Sequence, residues 1–73
     1  MKAMQLLIRK YENEIDRAKY NIENLINNQV GVAEHPDILE TVEVELRKIA
    51  EASDLLEACL IVQSDTFVPE DVL

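Results

Sequence analysis

Along two stretches of the chain, apolar residues recur at alternating steps of four and three positions. A helix brings residues at this spacing onto one side, so the pattern predicts two helices, from about residue 2 to 28 and from about 36 to 62. The first ladder is Met4, Ile8, Tyr11, Ile15, Ala18, Ile22 and Leu25. The second, which includes one serine, is Leu39, Val42, Leu46, Ile49, Ser53, Leu56 and Leu60.

The segment between the ladders, residues 29–35, is too short for anything but a chain reversal. Gly31 is expected to close the first helix, because glycine adopts the left-handed conformation that ends helices. Pro36 suits the first position of the second helix, with His35 as its cap. The predicted fold is therefore all-α, an antiparallel helical hairpin over residues 1–62, followed by an acidic and hydrophobic C-terminal tail over residues 63–73.

Further apolar residues lie beside both ladders and widen the apolar stripes. Wide stripes are more typical of helical bundles than of simple two-stranded coiled coils. A core of this size supplies only about 3–5 kcal/mol without a disulfide, a metal or a second chain. The single cysteine and single histidine offer no disulfide and no metal site, so the sequence predicts a homodimeric four-helix bundle. The flanking residues are Leu7, Ile26, Ile38, Ala52 and Cys59.

The sequence also bears on location. No stretch approaches the roughly 20 apolar residues that cross a bilayer, and Arg9 and Lys10 interrupt the N-terminal apolar run. A free thiol at Cys59 and the lack of a signal sequence fit a reducing compartment. We expect a cytoplasmic protein with no membrane partner.

Charge is unevenly distributed along the chain, whose formal net charge is −8. Residues 1–28 hold five basic and four acidic side chains, whereas residues 29–73 hold eleven acidic and two basic ones. Such acidity disfavours direct nucleic-acid binding and favours a basic protein surface as partner, because opposite charges steer association. The alternative is that the charge serves solubility alone. The candidate partner-binding acids on the second helix are Glu40, Glu43, Glu51 and Asp54.

A second candidate surface is apolar. Val44 and Leu55 fall outside the ladder of the second helix, and Phe67 is the only phenylalanine of the chain. Stray apolar residues on an acidic helix predict a patch for a dimer or another partner. The alternatives are isolated surface aliphatics and a tail that folds back on the end of the bundle.

No residue set has the pattern of a catalytic or cofactor site. His35 has no nucleophile near it in the sequence, and Cys59 is expected to be a packing residue. The chain has one glycine, so it holds no glycine-rich phosphate loop. We therefore predict no enzyme activity, no metal and no cofactor.

The segment Thr41-Val42-Glu43-Val44-Glu45 resembles the Ser-Gln-Glu-Leu-Asp motif of the sporulation aspartyl-phosphate phosphatases, which are also small helical hairpins. Glu45 stands where that family has its essential aspartate, and the ladder residue Val42 stands where the motif is polar. The resemblance implies hydrolysis of an aspartyl phosphate that depends on Glu45.

Residues 27–38, followed by an acidic amphipathic helix, resemble small acidic hairpin proteins of tailed phages and bacteria. That resemblance implies an adaptor or inhibitor of a host protein in the bacterial cytoplasm, and it supplies no site residue. The leading prediction is thus a non-enzymatic interaction module that docks on a basic protein surface, with charge mimicry of nucleic acid as one way of doing so. The alternatives are an assembly component that uses the apolar patch and tail, and the phosphatase.

Overall fold

In a computed structural model, the protein folds into two long helices packed against each other. The structure describes residues 2–28 and 37–66. Helix α1 spans Lys2–Asn27, and helix α2 spans Ile38–Thr66. Asn21 contacts Glu45, and Leu25 lines one groove together with Thr41, so the helices run antiparallel. The predicted helical hairpin is confirmed, although α2 begins two residues later and ends four residues later than expected.

Local hydrogen bonds define the helix ends that face the connection. The backbone N–H and the hydroxyl of Thr41 both donate to the carbonyl oxygen of Asp37, at 3.0 and 3.2 Å. At the end of α1, the N–H of Asn28 donates to the carbonyl oxygen of Asn24 at 3.0 Å. The predicted caps lie outside the described residues, namely Gly31, His35 and Pro36.

The apolar ladder predicted for α1 is confirmed. Every one of its seven residues is half-buried or buried against α2, and Ala18 is only 2 % exposed. Leu7 beside the ladder is half-buried as well, whereas Ile26 remains 49 % exposed. Helix α1 therefore packs through the predicted ladder and Leu7, and the prediction that Ile26 widens this stripe is wrong.

The ladder predicted for α2 is only half right. Val42, Ile49 and Leu56 are half-buried between the helices, as expected. The other predicted members are exposed, namely Leu39, Leu46, Ser53 and Leu60. Their places facing α1 are taken by Ile38, Glu45, Ala52 and Cys59.

Short side chains at the helix contact explain this choice. The only buried apolar residues of the described part are Ala18, Ala52 and Cys59. Small side chains let the two backbones approach closely, which leucines at the same positions would prevent. The apolar residues of α2 lie in three adjacent columns along the helix. Helix α1 is wide enough to cover two of them, so the third column, which contains the leucines, remains exposed.

The hairpin consequently buries little apolar surface by itself. Among residues 2–28 and 37–66, no large side chain is fully buried. In the same part of the chain, neither helix is long and apolar enough to cross a membrane. The large apolar side chains that remain exposed are Leu6, Tyr20, Ile26, Leu39, Val44, Leu46, Leu55, Leu60, Ile61 and Val62.

Candidate functional site

The two long sides of the hairpin differ in character. One side, which we call the Asn21 flank, contains grooves lined by Glu14 and Asn21 from α1 and by Thr41 and Lys48 from α2. The opposite side must then carry the residues that lie across the contact stripe on each helix. We call it the Leu46 flank, and its members are Gln5, Glu12, Lys19 and Ile26 on α1 and Leu39, Leu46, Ser53 and Leu60 on α2.

Glu45 is the most constrained polar side chain on the Asn21 flank. It is 8 % exposed, lying in the contact stripe between the helices. The Asn21 side-chain amide donates to Oε1 of Glu45 at 3.1 Å, and the Lys48 ammonium lies 3.0 Å from Oε2. Both carboxylate oxygens therefore have a donor, which is what a buried carboxylate requires.

These two donors stabilise the ionised form of the carboxyl group. The hydrogen bond from Lys48, followed by the one from Asn21, lowers the pKa of Glu45 below its ordinary value of 4.5, although partial removal from water acts in the opposite direction. Glu45 is consequently ionised at neutral pH. It is not poised to donate a proton, as a general acid with a raised pKa would be.

The same geometry bears on the resemblance to the phosphatases. A carboxylate that acts on a phosphorylated partner must present its oxygens to that partner. The oxygens of Glu45 instead accept hydrogen bonds within the hairpin, and its side chain faces α1. The placement of Glu45 does not favour the role that the resemblance implies.

The four predicted partner-binding acids are all exposed. Glu40, Glu43 and Asp54 lie on the side of α2 that points away from α1, and Glu51 lies at the edge of that side, where it also lines a groove of the Asn21 flank. Within the described residues, only Glu43 of the four forms an ion pair, 3.6 Å from Arg47, and both side chains are more than half exposed. An exposed pair of this kind contributes only about 0.3–0.5 kcal/mol. The outer face of α2, formed by Glu40, Glu43, Glu51 and Asp54, is thus a solvated and largely unneutralised acidic surface.

The predicted apolar patch is present only in part. Val44 is 47 % exposed and Leu55 is 40 % exposed, on the same side of α2 but three turns apart. Phe67, its third predicted member, lies outside the described residues. Two separated aliphatic side chains make a smaller apolar surface than the patch that the sequence predicts.

The larger apolar surface is the leucine column of the Leu46 flank, which the sequence prediction assigned to the interior. Leu39 is 77 % exposed, and Leu46 and Leu60 are each 51 % exposed. They recur every seven residues and therefore lie in line along α2. The sequence did contain a signal that one apolar column would be exposed. Helix α2 has three adjacent apolar columns, and a single antiparallel helix covers only two of them.

Metal binding and the reactivity of a thiol are two further kinds of chemistry to consider in the described part of the chain. No group of three His, Cys, Asp or Glu side chains in residues 2–28 and 37–66 is placed to hold a metal ion. Cys59 is buried between the helices at 7 % exposure, as expected for a packing residue. The candidate functional features that the described residues present are therefore the surfaces described above.

Comparison of the chain with models of protein families, with curated proteins and with solved structures found no match. The case for a function accordingly rests on the surfaces just described.

Proposed function

We propose that this protein is a non-enzymatic interaction module that binds a basic protein surface through the acidic outer face of α2. The contact residues are Glu40, Glu43, Glu51 and Asp54. The expected partner surface is one rich in Lys and Arg, such as a surface that otherwise contacts nucleic-acid phosphates, and the acidic face mimics the phosphate charge.

The observation that carries the proposal is the uncompensated charge on that face. Glu40 and Glu43 lie three residues apart, as do Glu51 and Asp54, so like charges are neighbours on one helix surface. Such pairs destabilise a helix by a few tenths of a kcal/mol each. Arg47 relieves only Glu43 among the described residues. A basic partner would remove this repulsion, and its approach would be accelerated by the field.

Pairing of two hairpins into a four-helix bundle is part of the same proposal. The support is the small interior, which contains two alanines and a cysteine as its buried apolar residues within the described part. A core of that size leaves little free energy to offset the ordering of two helices. A second copy would cover apolar surface on each hairpin and leave the acidic outer faces open.

A second candidate function is favoured by the exposure of Val44 and Leu55. In that case the protein is a structural or assembly component recognised through these side chains and the Phe67 tail, and its charge serves solubility. The two candidates differ in salt dependence, since screening weakens charge contacts and leaves apolar ones intact.

The experiment that separates them captures proteins from bacterial lysate on the immobilised chain at low salt and at about 0.5 M salt, where electrostatic reach shrinks to a few ångströms. Each capture is repeated with the triple variant Glu40→Gln, Glu51→Gln, Asp54→Asn. The matched control is Glu14→Gln, Asp16→Asn, Glu23→Gln, which changes the net charge equally but on α1. Circular dichroism confirms that each variant stays helical.

A partner that binds wild type and the control, but is lost in the α2 variant and at high salt, supports the acidic face. A partner that all three chains retain at high salt would move the assignment to the apolar surface. In that event, replacing Val44 and Leu55 by Ser should abolish its capture.

A further inference from the structure

The Leu46 flank combines an apolar column on α2 with a charged column on α1. The leucine column consists of Leu39, Leu46, Ser53 and Leu60, and what we call the Lys19 column consists of Gln5, Glu12, Lys19 and Ile26. All eight residues are exposed. The Lys19 column carries one acid and one base in its two central places, seven residues apart.

The positions of the two columns along the hairpin axis, relative to each other, follow from the register of the two helices. Asn21 lies opposite Glu45, so in this antiparallel pair residues 15 and 16 lie opposite residues 50 and 51. The centre of the Lys19 column falls between residues 15 and 16, and that of the leucine column between residues 49 and 50. The two centres differ by about one residue, or about 1.5 Å along the helix.

This coincidence makes the flank self-complementary. Consider a two-fold axis that lies in the plane of the flank, perpendicular to the helices, at the level of the two centres. Rotation about this axis places each column antiparallel against the same column of a second copy. Leu39 then meets Leu60 of the second copy, and Glu12 meets Lys19 of the second copy, each contact occurring twice. Leu46 meets Ser53, and Gln5 meets Ile26.

We infer that the occupant of the Leu46 flank is a second copy of this chain, docked about this perpendicular two-fold axis. The inference rests on the proposed pairing of two hairpins and specifies its face and register. Two arguments carry it: the charge complementarity of Glu12 and Lys19, and the row of exposed leucines, which no residue of the described part covers.

The other two-fold arrangement of the same faces is less favourable. An axis parallel to the helices places α2 on α1 of the second copy, so that Leu46 faces Lys19 and Ser53 faces Glu12. That dimer would desolvate the charged column against leucines without pairing its charges. The perpendicular axis pairs Leu39 with Leu60 and Glu12 with Lys19, and it leaves Leu46 against Ser53 and not against a charge.

The arrangement also affects the acidic face. It sets the two α2 helices side by side, with Glu43 of one copy near Glu57 of the other along the outer edge. These like charges oppose pairing at that edge, where they are exposed to water and screened. The dimer therefore presents one continuous acidic surface contributed by two chains, which suits a basic partner.

A charge-swap experiment tests the register. Sedimentation equilibrium at about 0.05 M salt, where exposed charges are weakly screened, measures the dimer dissociation constant of wild type, Glu12→Lys, Lys19→Glu and the double variant Glu12→Lys/Lys19→Glu. Each single reversal turns two attractive contacts into repulsive ones and should weaken the dimer roughly tenfold. The double variant should return to within about threefold of wild type. The control Lys10→Glu, on another side of α1, should leave dissociation within about threefold.

The outcomes separate this inference from the proposed function. A wild-type dimer that the single reversals do not weaken, or that the double variant does not restore, overturns this register while leaving pairing by another face in place. A chain that stays monomeric throughout overturns both the register and the bundle. Neither result bears on the binding of a basic partner, which is tested separately with the acid-to-amide variants.

Discussion

Glu45 shows how a charged residue is accommodated in the contact between two helices. A buried carboxylate is costly unless it is hydrogen-bonded, and here Asn21 and Lys48 supply a donor to each oxygen. Asn21 comes from the opposite helix, so its bond to Glu45 is formed only when the two helices adopt this register. A slip that moves Asn21 away from Glu45 would break this hydrogen bond. Glu45 therefore favours one alignment of α1 on α2.

The lowered pKa of Glu45 predicts a pH dependence of stability. Since the folded-state pKa lies below the ordinary value of 4.5, the carboxylate stabilises the fold above that pH, and the contribution is lost as pH falls through the folded-state value. Glu45→Gln keeps the shape but removes the charge. We expect its thermal midpoint to lie below that of wild type at about pH 6, and this gap to narrow as the pH falls below 4.5 and through the folded-state pKa.

Thermal unfolding followed by circular dichroism at fixed chain concentration measures this gap. The matched control is Glu51→Gln, which removes an exposed carboxylate at the same groove. The difference in thermal midpoint between Glu51→Gln and wild type should not narrow with falling pH in the same way. A gap for Glu45→Gln that stays constant as the pH falls from about 6 into the acid range would mean that the carboxylate is not stabilised by its donors.

At the scale of the helix, the most buried apolar side chains between α1 and α2 are small. Ala18 and Ala52 are each 2 % exposed. Ala52→Leu should therefore overpack the contact and destabilise the hairpin by about 1–3 kcal/mol. Ala58→Leu, at an exposed position of the same helix, should change stability by less than about 0.5 kcal/mol.

Urea unfolding at one chain concentration compares the two variants with wild type. An Ala52→Leu variant as stable as wild type would show that the helices can separate at little cost, and the account of the contact by small residues would be wrong.

The sequence predicted the two helices and the antiparallel hairpin, because the heptad spacing and the short connection leave few alternatives. It predicted the contact stripe of α1 for the same reason, since that helix has a single apolar stripe. On α2 it placed Ile38, Ala52 and Cys59 correctly in the apolar stripe, but it assigned the leucine column to the interior and missed Glu45, because leucines are more hydrophobic than the column that contains Glu45. Burial there depends on how closely the partner helix approaches and on a donor from Asn21, and neither quantity is encoded in the periodicity of α2 alone.

At the scale of the whole molecule, the exposed leucine column predicts that folding depends on chain concentration. If the folded state is a dimer, association stabilises it by mass action. With an unfolding enthalpy of about 0.7 kcal/mol per residue, a hundredfold rise in concentration should raise the thermal midpoint by about 10 °C. A monomeric hairpin would show no change.

The leucine column can be removed without altering the rest of the surface. In the triple variant Leu39→Ser, Leu46→Ser, Leu60→Ser, the concentration dependence should disappear, because the apolar contact with the second copy is lost. The control Val44→Ser, Ile61→Ser, Val62→Ser removes three exposed aliphatic side chains outside the Leu46 flank and should retain the concentration dependence. Loss of the dependence in the control alone would move the dimer contact to the outer side of α2, where it would compete with a basic partner for the acidic face.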